Sequence, residues 1–237
     1  MVPAGCAGED EEAAEERTTS APGTTAAATT TTATTEEPAS APRANIVFQD
    51  DFSARDGRWL VESTRTASLA YAKGGYRVRV KDPKASRVTY SASLLAGRVR
   101  AVRVEADALL TRAGSDFEVL GVVCIANARG SGYFFGVGPE ERYYSLEKVA
   151  RREFDVEREG RRNKAVRGLG RVNRIRGECI GGGEKPTRVH LVVNGESLAV
   201  FKDKDGFDRF EAVGLAVFSV EGGTEVVFDN VVAKRLD

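Results

Sequence analysis

The chain has 237 residues with 35 basic and 35 acidic side chains, a balance that argues against a uniformly basic nucleic-acid binder. The charge is unevenly placed: residues 1–45 hold eight acidic and two basic residues, so the other 192 carry 33 basic against 27 acidic, a net of six positive charges. No apolar run approaches the roughly 18 residues of a membrane-crossing helix.

Residues 1–44 contain no Ile, Leu, Phe, Tyr or Trp and are built mainly of Thr, Ala, Glu, Pro and Ser. Such a composition buries too little apolar surface to offset the entropy of ordering it, so a disordered tether is expected. Its Thr-rich part, residues 18–35, has the character of an exposed spacer compatible with O-glycosylation. At the front, Ala4-Gly5-Cys6 ahead of an acidic run resembles the end of a bacterial lipoprotein signal, where the cysteine is lipidated and becomes the first mature residue. Pro3 departs from that pattern, and no basic or apolar signal region precedes it, so this reading requires coding sequence upstream of Met1. It implies a domain anchored to a membrane through Cys6, outside the cytoplasm. The alternative is a free thiol on a cytoplasmic tail.

Beyond residue 45 period-two alternation takes over. In Tyr76-Arg77-Val78-Arg79-Val80 the apolar residues share one face and the arginines the other, which specifies a half-buried strand. Similar runs occupy residues 46–52, 69–72, 86–91, 99–110, 117–126, 133–137, 143–149, 174–180, 188–193, 197–202, 213–220 and 225–234. Glycine-rich turns separate them, and Asn194-Gly195 is the strongest hairpin signal, because a type I′ turn needs positive φ at both central residues. No amphipathic helix of useful length appears. The expected fold is all-β, an antiparallel two-sheet jelly-roll sandwich over residues 45–237, as a monomer.

With Cys6 set apart, Cys124 and Cys179 remain, both in strand-like runs. They can pair if their strands adjoin, and closing a loop of about 55 residues would contribute on the order of 3–4 kcal/mol. Two buried thiols acting as small hydrophobes are the alternative.

The order of landmarks then becomes informative: Asp50-Asp51-Phe52-Ser53, Gly57-Arg58-Trp59, Gly74-Gly75-Tyr76, Gly121-Val122-Val123-Cys124, Gly132-Tyr133-Phe134-Phe135, Asn194-Gly195 and Phe228-Asp229-Asn230-Val231. Together they resemble the concanavalin A-like lectin/glucanase sandwiches of tethered bacterial surface proteins, including laminin-G-like and 3-keto-disaccharide-hydrolase-like groups. The resemblance implies two curved sheets with a concave face, which binds glycans in many members. Fold alone does not assign the ligand.

Several residues invite chemistry. Residues 148–176 hold eleven basic and four acidic side chains, a field that attracts acidic polymers unless the acidic tether neutralises it. Tyr133, Phe135, Tyr143 and Tyr144 lie just before or within its start, and aromatic faces stack on sugar rings. The expected contact face therefore joins these aromatics to Arg161, Arg162 and Arg167, for a glycan or an acidic cell-envelope polymer, with no nucleic acid and no cofactor. Asp51 and Asp229, with Asp50 and Asn230 in the first and last strands, are candidate Ca²⁺ ligands or a hydrogen-bonded clasp. Glu105 and Asp107 share one strand face, but retaining glycoside hydrolysis needs a matched carboxyl pair and no third carboxylate follows them. His190, the sole histidine, is expected to be a satisfied strand residue. A structural or protein-interaction domain with no small ligand is the second functional expectation, and a glycoside-acting enzyme the third.

Overall fold

The structure is a computed structural model that describes residues 45–236 except 73, 83–87, 116 and 151–152. The tether and Cys6 lie outside the described residues.

Among the described residues there are fifteen strands and no helix. They are β1 (Ile46–Asp50), β2 (Glu62–Ser63), β3 (Ala67–Ala72), β4 (Gly75–Val80), β5 (Val88–Val99), β6 (Ala101–Arg112), β7 (Glu118–Ile125), β8 (Gly132–Gly138), β9 (Tyr143–Ala150), β10 (Glu153–Gly160), β11 (Asn173–Ile180), β12 (Thr187–Val193), β13 (Glu196–Asp203), β14 (Phe210–Ser219) and β15 (Glu225–Arg235). A nine-stranded sheet runs β13-β12-β11-β6-β15-β4-β3-β2 with β1 also on β15, and a six-stranded sheet runs β10-β9-β8-β7-β14-β5. Every pairing is antiparallel.

Alternation makes the core. On β6, Val102, Val104, Ala106, Ala108 and Leu110 are fully buried, while Arg103, Glu105, Asp107 and Leu109 between them are partly exposed. The six-stranded sheet answers with Leu120, Val122, Tyr133, Phe135, Val137 and Leu146 in the same core cluster. Phe135 lies over Gly177 of β11, where a Cβ would collide with its ring. The close approach of the two sheets at this point therefore depends on a residue without a side chain. Cys124 of β7 and Cys179 of β11 form a disulfide between the sheets, with Cα atoms 6.7 Å apart, as the cysteine parity suggested.

The front of the domain is closed by aromatics. Trp59 Nε1 donates to Asp50 Oδ2 at 2.9 Å, and Phe52 turns through a left-handed φ of 54° while its N–H donates to Asp50 Oδ1 at 2.7 Å. The Asn194-Gly195 turn adopts positive φ at both residues, 51° and 90°, as hairpin geometry requires.

Two details depart from the sequence reading. Residues 99–110, expected as one strand, are divided at Arg100 between β5 and β6. Residues 153–160, read as part of a basic loop, form β10, whose Phe154 and Val156 alternate with charged side chains. A charged strand of this kind suits the exposed edge it occupies, because edge charges discourage pairing with other chains.

Candidate functional site

The inward residues of the six-stranded sheet build the core, so their neighbours form its outer face, and strand register arranges them in rows. One row runs Leu94, Ala212, Ile125, Gly132, Val149, Phe154 across all six strands. The next runs Ala92, Gly214, Val123, Phe134, Glu147, Val156, and a third crosses Ala216, Gly121, Gly136, Ser145 and Glu159. Ala212, Gly214, Ala216, Gly121 and Gly136 lie in the middle of the face, where the side chains of Val119 and Phe134 close over Gly136 and that of Val123 over Gly214. Apolar side chains at its margins are exposed, Leu94 by 79%, Val156 by 52% and Phe154 by 37%.

Phe134, Tyr143, Val119 and Ala216 form a second apolar cluster on this face, flanked by Phe117 and Phe218. Phe117 packs 5.4 Å from the Tyr143 ring and 6.1 Å from Phe218. The polar groups converge beside it. Tyr143 donates its hydroxyl to Glu159 Oε2 at 2.8 Å, and Ser145 donates to Glu147 Oε1 at 2.6 Å. Arg161 lies over the rings of Tyr143 and Phe117, at 5.7 and 6.0 Å.

Burial pushes the Glu147 carboxyl above its ordinary range, the Glu159 charge adds to this, and the Ser145 hydroxyl opposes it. Burial likewise raises Tyr143, helped by its bond to Glu159, so the phenol stays a proton donor. Because the folded protein holds the Glu147 proton more tightly than the unfolded chain, stability from this group is present at acid pH and is lost as pH rises through the raised value. Glu147→Gln is therefore expected to raise the melting temperature at neutral pH and to leave it unchanged well below the ordinary glutamate range. Thermal unfolding at the two pH values checks this, and an equal shift at both would show that charge is not the cause.

Of the residues singled out in the sequence, the structure brings together Tyr143 and Arg161. Tyr133 and Phe135 have no exposed surface, because alternation on β8 turns them into the core and leaves Phe134 to face outward. Tyr144 packs partly buried against the main core, with its ring beneath Gly160. Arg167 donates to Val172 O within its own loop at 3.1 Å, and the Arg162 N–H is tied to Glu141 O. Among the described residues, the basic side chains of this segment do not form one patch. Lys148 turns inward to Asp203, Arg158 covers Phe201, and Arg174 and Arg176 pair with acids on the nine-stranded sheet. Arg151 and Arg152 lie outside the described residues. The split follows from topology, since β10 and β11 belong to different sheets.

Glu147, Ser145 and Glu159 went unnoticed in the sequence. The signal was there, because Tyr143, Ser145 and Glu147 alternate within one strand and so share a face.

The remaining candidates are occupied by local bonds. Glu105 and Asp107 pair with Arg174 at 3.1 and 3.3 Å. His190 meets Ser197 Oγ at 2.8 Å and Glu178 Oε2 at 3.4 Å, a satisfied strand residue. Asp51 accepts from the Ser53 N–H and hydroxyl, Asp229 from the Asn230 N–H, and Asn230 reaches Asp107 at 2.9 Å. Among the described residues no three His, Cys, Asp or Glu side chains are grouped to hold a metal.

No protein-family model and no curated protein matches this chain. Solved structures do. Carbohydrate-binding module CBM66 from Bacillus subtilis superposes with a TM-score of 0.55 at 15% identity, over 75% of this chain and 95% of that one. The catalytic domain of an endo-1,3-β-glucanase (laminarinase) from Thermotoga petrophila RKU-1 gives 0.55 at 9% identity, over 82% and 99%. A sialidase gives 0.56 at 12% identity, over 82% of this chain and 19% of its own length. At these identities the likeness is one of fold, a two-sheet jelly-roll sandwich consistent with the concanavalin A-like lectin/glucanase resemblance of the sequence.

Proposed function

We propose that this domain is a glycan-binding module that holds a sugar chain along the outer face of its six-stranded sheet. The observation that carries it is the grouping on this face of the Phe117, Tyr143 and Phe218 rings with Glu147, Glu159 and Arg161. Sugar recognition uses this chemistry: ring faces meet the apolar side of the pyranose, and charged groups bond its hydroxyls. Neighbours that are a carbohydrate-binding module and a glucanase support the reading. Two carboxylates against one guanidinium suit a neutral, hydroxyl-rich chain better than an acidic polymer, so binding should change little with salt. The inter-sheet disulfide suits an oxidising compartment, and we place the domain outside the cytoplasm, tethered by residues 1–44 and anchored through Cys6 once that residue is lipidated.

Binding of the full chain to a panel of neutral and acidic polysaccharides tests this. Glu159→Gln and Arg161→Ser should each weaken binding roughly 10- to 100-fold, the scale of one charge-assisted hydrogen bond. Glu105→Gln, on the opposite sheet, should leave it unchanged. Absence of binding across the panel, or equal effects of all three changes, would favour a structural role. One observation favours a second reading, hydrolysis: Glu147, with its raised pKa, shares a face with a second carboxylate, as acid and nucleophile do in glycosidases. Release of reducing ends from a bound polymer decides between them.

A further inference from the structure

At the side of the sandwich where β9 and β10 approach β13, two oppositely charged side chains occupy inward positions. Cys124, Tyr133 and Lys148 are direct partners across β7, β8 and β9, so the row that carries the disulfide cysteine ends in a lysine. Its Nζ lies 2.8 Å from Asp203 Oδ2, and the two side chains are 17% and 8% exposed. The same Oδ2 accepts the Tyr133 hydroxyl at 2.7 Å. Nζ also donates to Asp205 O at 3.0 Å and stands 5.8 Å from the centre of the Phe207 ring, which packs edge-on to Tyr133.

A buried ion pair contributes little to stability as such, because desolvating both charges offsets their attraction. Amine and carboxyl held in contact, shielded from water, are however arranged for condensation. We propose that Lys148 and Asp203 join in an intramolecular isopeptide bond, from Nζ to the Asp203 side-chain carbonyl carbon.

Burial works against ionisation of Asp203, but the Lys148 and Tyr133 bonds hold its carboxyl below the ordinary value. The reaction begins when the Lys148 ammonium passes one proton to the Asp203 carboxylate it touches, which frees the Nζ lone pair. Nζ then forms a bond to the carboxyl carbon and gives up a second proton. The Asp203 oxygen that has taken both protons leaves as water with its bonding electrons. The Tyr133 hydroxyl donates to the oxygen on which negative charge develops. Fixed contact supplies the effective concentration that such a step lacks in solution, and exclusion of water opposes the reverse hydrolysis. No oxidant or metal is consumed. The product ties β9 of one sheet to β13 of the other and survives reduction.

Mass spectrometry of the intact full chain, folded, incubated and then reduced, tests the bond. The expected mass is one water below that of the sequence, and a digest should contain a branched peptide bearing both Lys148 and Asp203. Lys148→Arg, which keeps the positive charge, should restore the full mass, as should Asp203→Ala. Asp155→Asn, facing Lys148 across β10, should keep the deficit. The full mass in the wild-type chain after prolonged incubation would overturn the proposal. So would a water loss that maps to Asp203 on a linear peptide, since that marks a cyclised aspartate.

Discussion

Phe135→Ala is expected to destabilise the domain by about 3–5 kcal/mol, the range for truncating a fully buried phenylalanine. The ring has no exposed surface and belongs to the main cluster between the sheets. It fills space that Gly177 leaves open on β11, so its loss creates a cavity between the two sheets. The coupling is testable in the other direction. Gly177→Ala alone places a methyl against the ring and should destabilise, whereas Phe135→Leu with Gly177→Ala should recover part of the loss, because the smaller side chain vacates the collision. Urea unfolding of the three variants measures this. A Phe135→Ala protein as stable as wild type yet unable to bind glycan would return Phe135 to the binding face.

That residue shows how far the sequence could be read. Alternation in Tyr76-Arg77-Val78-Arg79-Val80 and the Asn194-Gly195 turn are local signals, and both elements formed where those signals placed them. The sandwich and the Cys124–Cys179 bridge followed from strand number and cysteine parity. Tyr133-Phe134-Phe135 carries no such information, because an all-apolar run gives a strand but not its inward phase. Pairing with β7 sets that phase, and it turned two aromatics inward and one outward. The basic segment misled for a related reason. Summed charge along the chain says nothing about which sheet each residue enters, and β10 and β11 separate Arg161 from Arg174. Glu147 and Glu159 are 12 residues apart along the chain; they share a face because β9 pairs with β10 in a register interrupted by a bulge, which one sequence does not contain. Lys148 and Asp203 are likewise brought together by the packing of two sheets and not by any motif.

Reduction of Cys124–Cys179 should lower stability by roughly 4 kcal/mol, the loop-closure value for a bridge whose cysteines are 55 residues apart. The bridge joins β7 to β11, hence one sheet to the other, and both half-cystines are fully buried. Reductant should therefore act slowly on the folded protein and fast once denaturant opens the sandwich. The size of the loss also depends on what else ties the sheets. Lys148 lies inside the sequence loop closed by the disulfide and Asp203 beyond it, so an isopeptide bond would already restrict the unfolded chain and reduction would remove less entropy than the simple loop predicts. Urea midpoints with and without reductant, in wild type and in Lys148→Arg, separate the two contributions. The shift on reduction should be larger in the variant, because only there is the disulfide the sole covalent tie between the sheets among the described residues. Equal shifts in both proteins would mean that the two cross-links do not share the same unfolded-state restriction, and no shift in either would show that the bridge does not constrain the unfolded chain as its loop length requires.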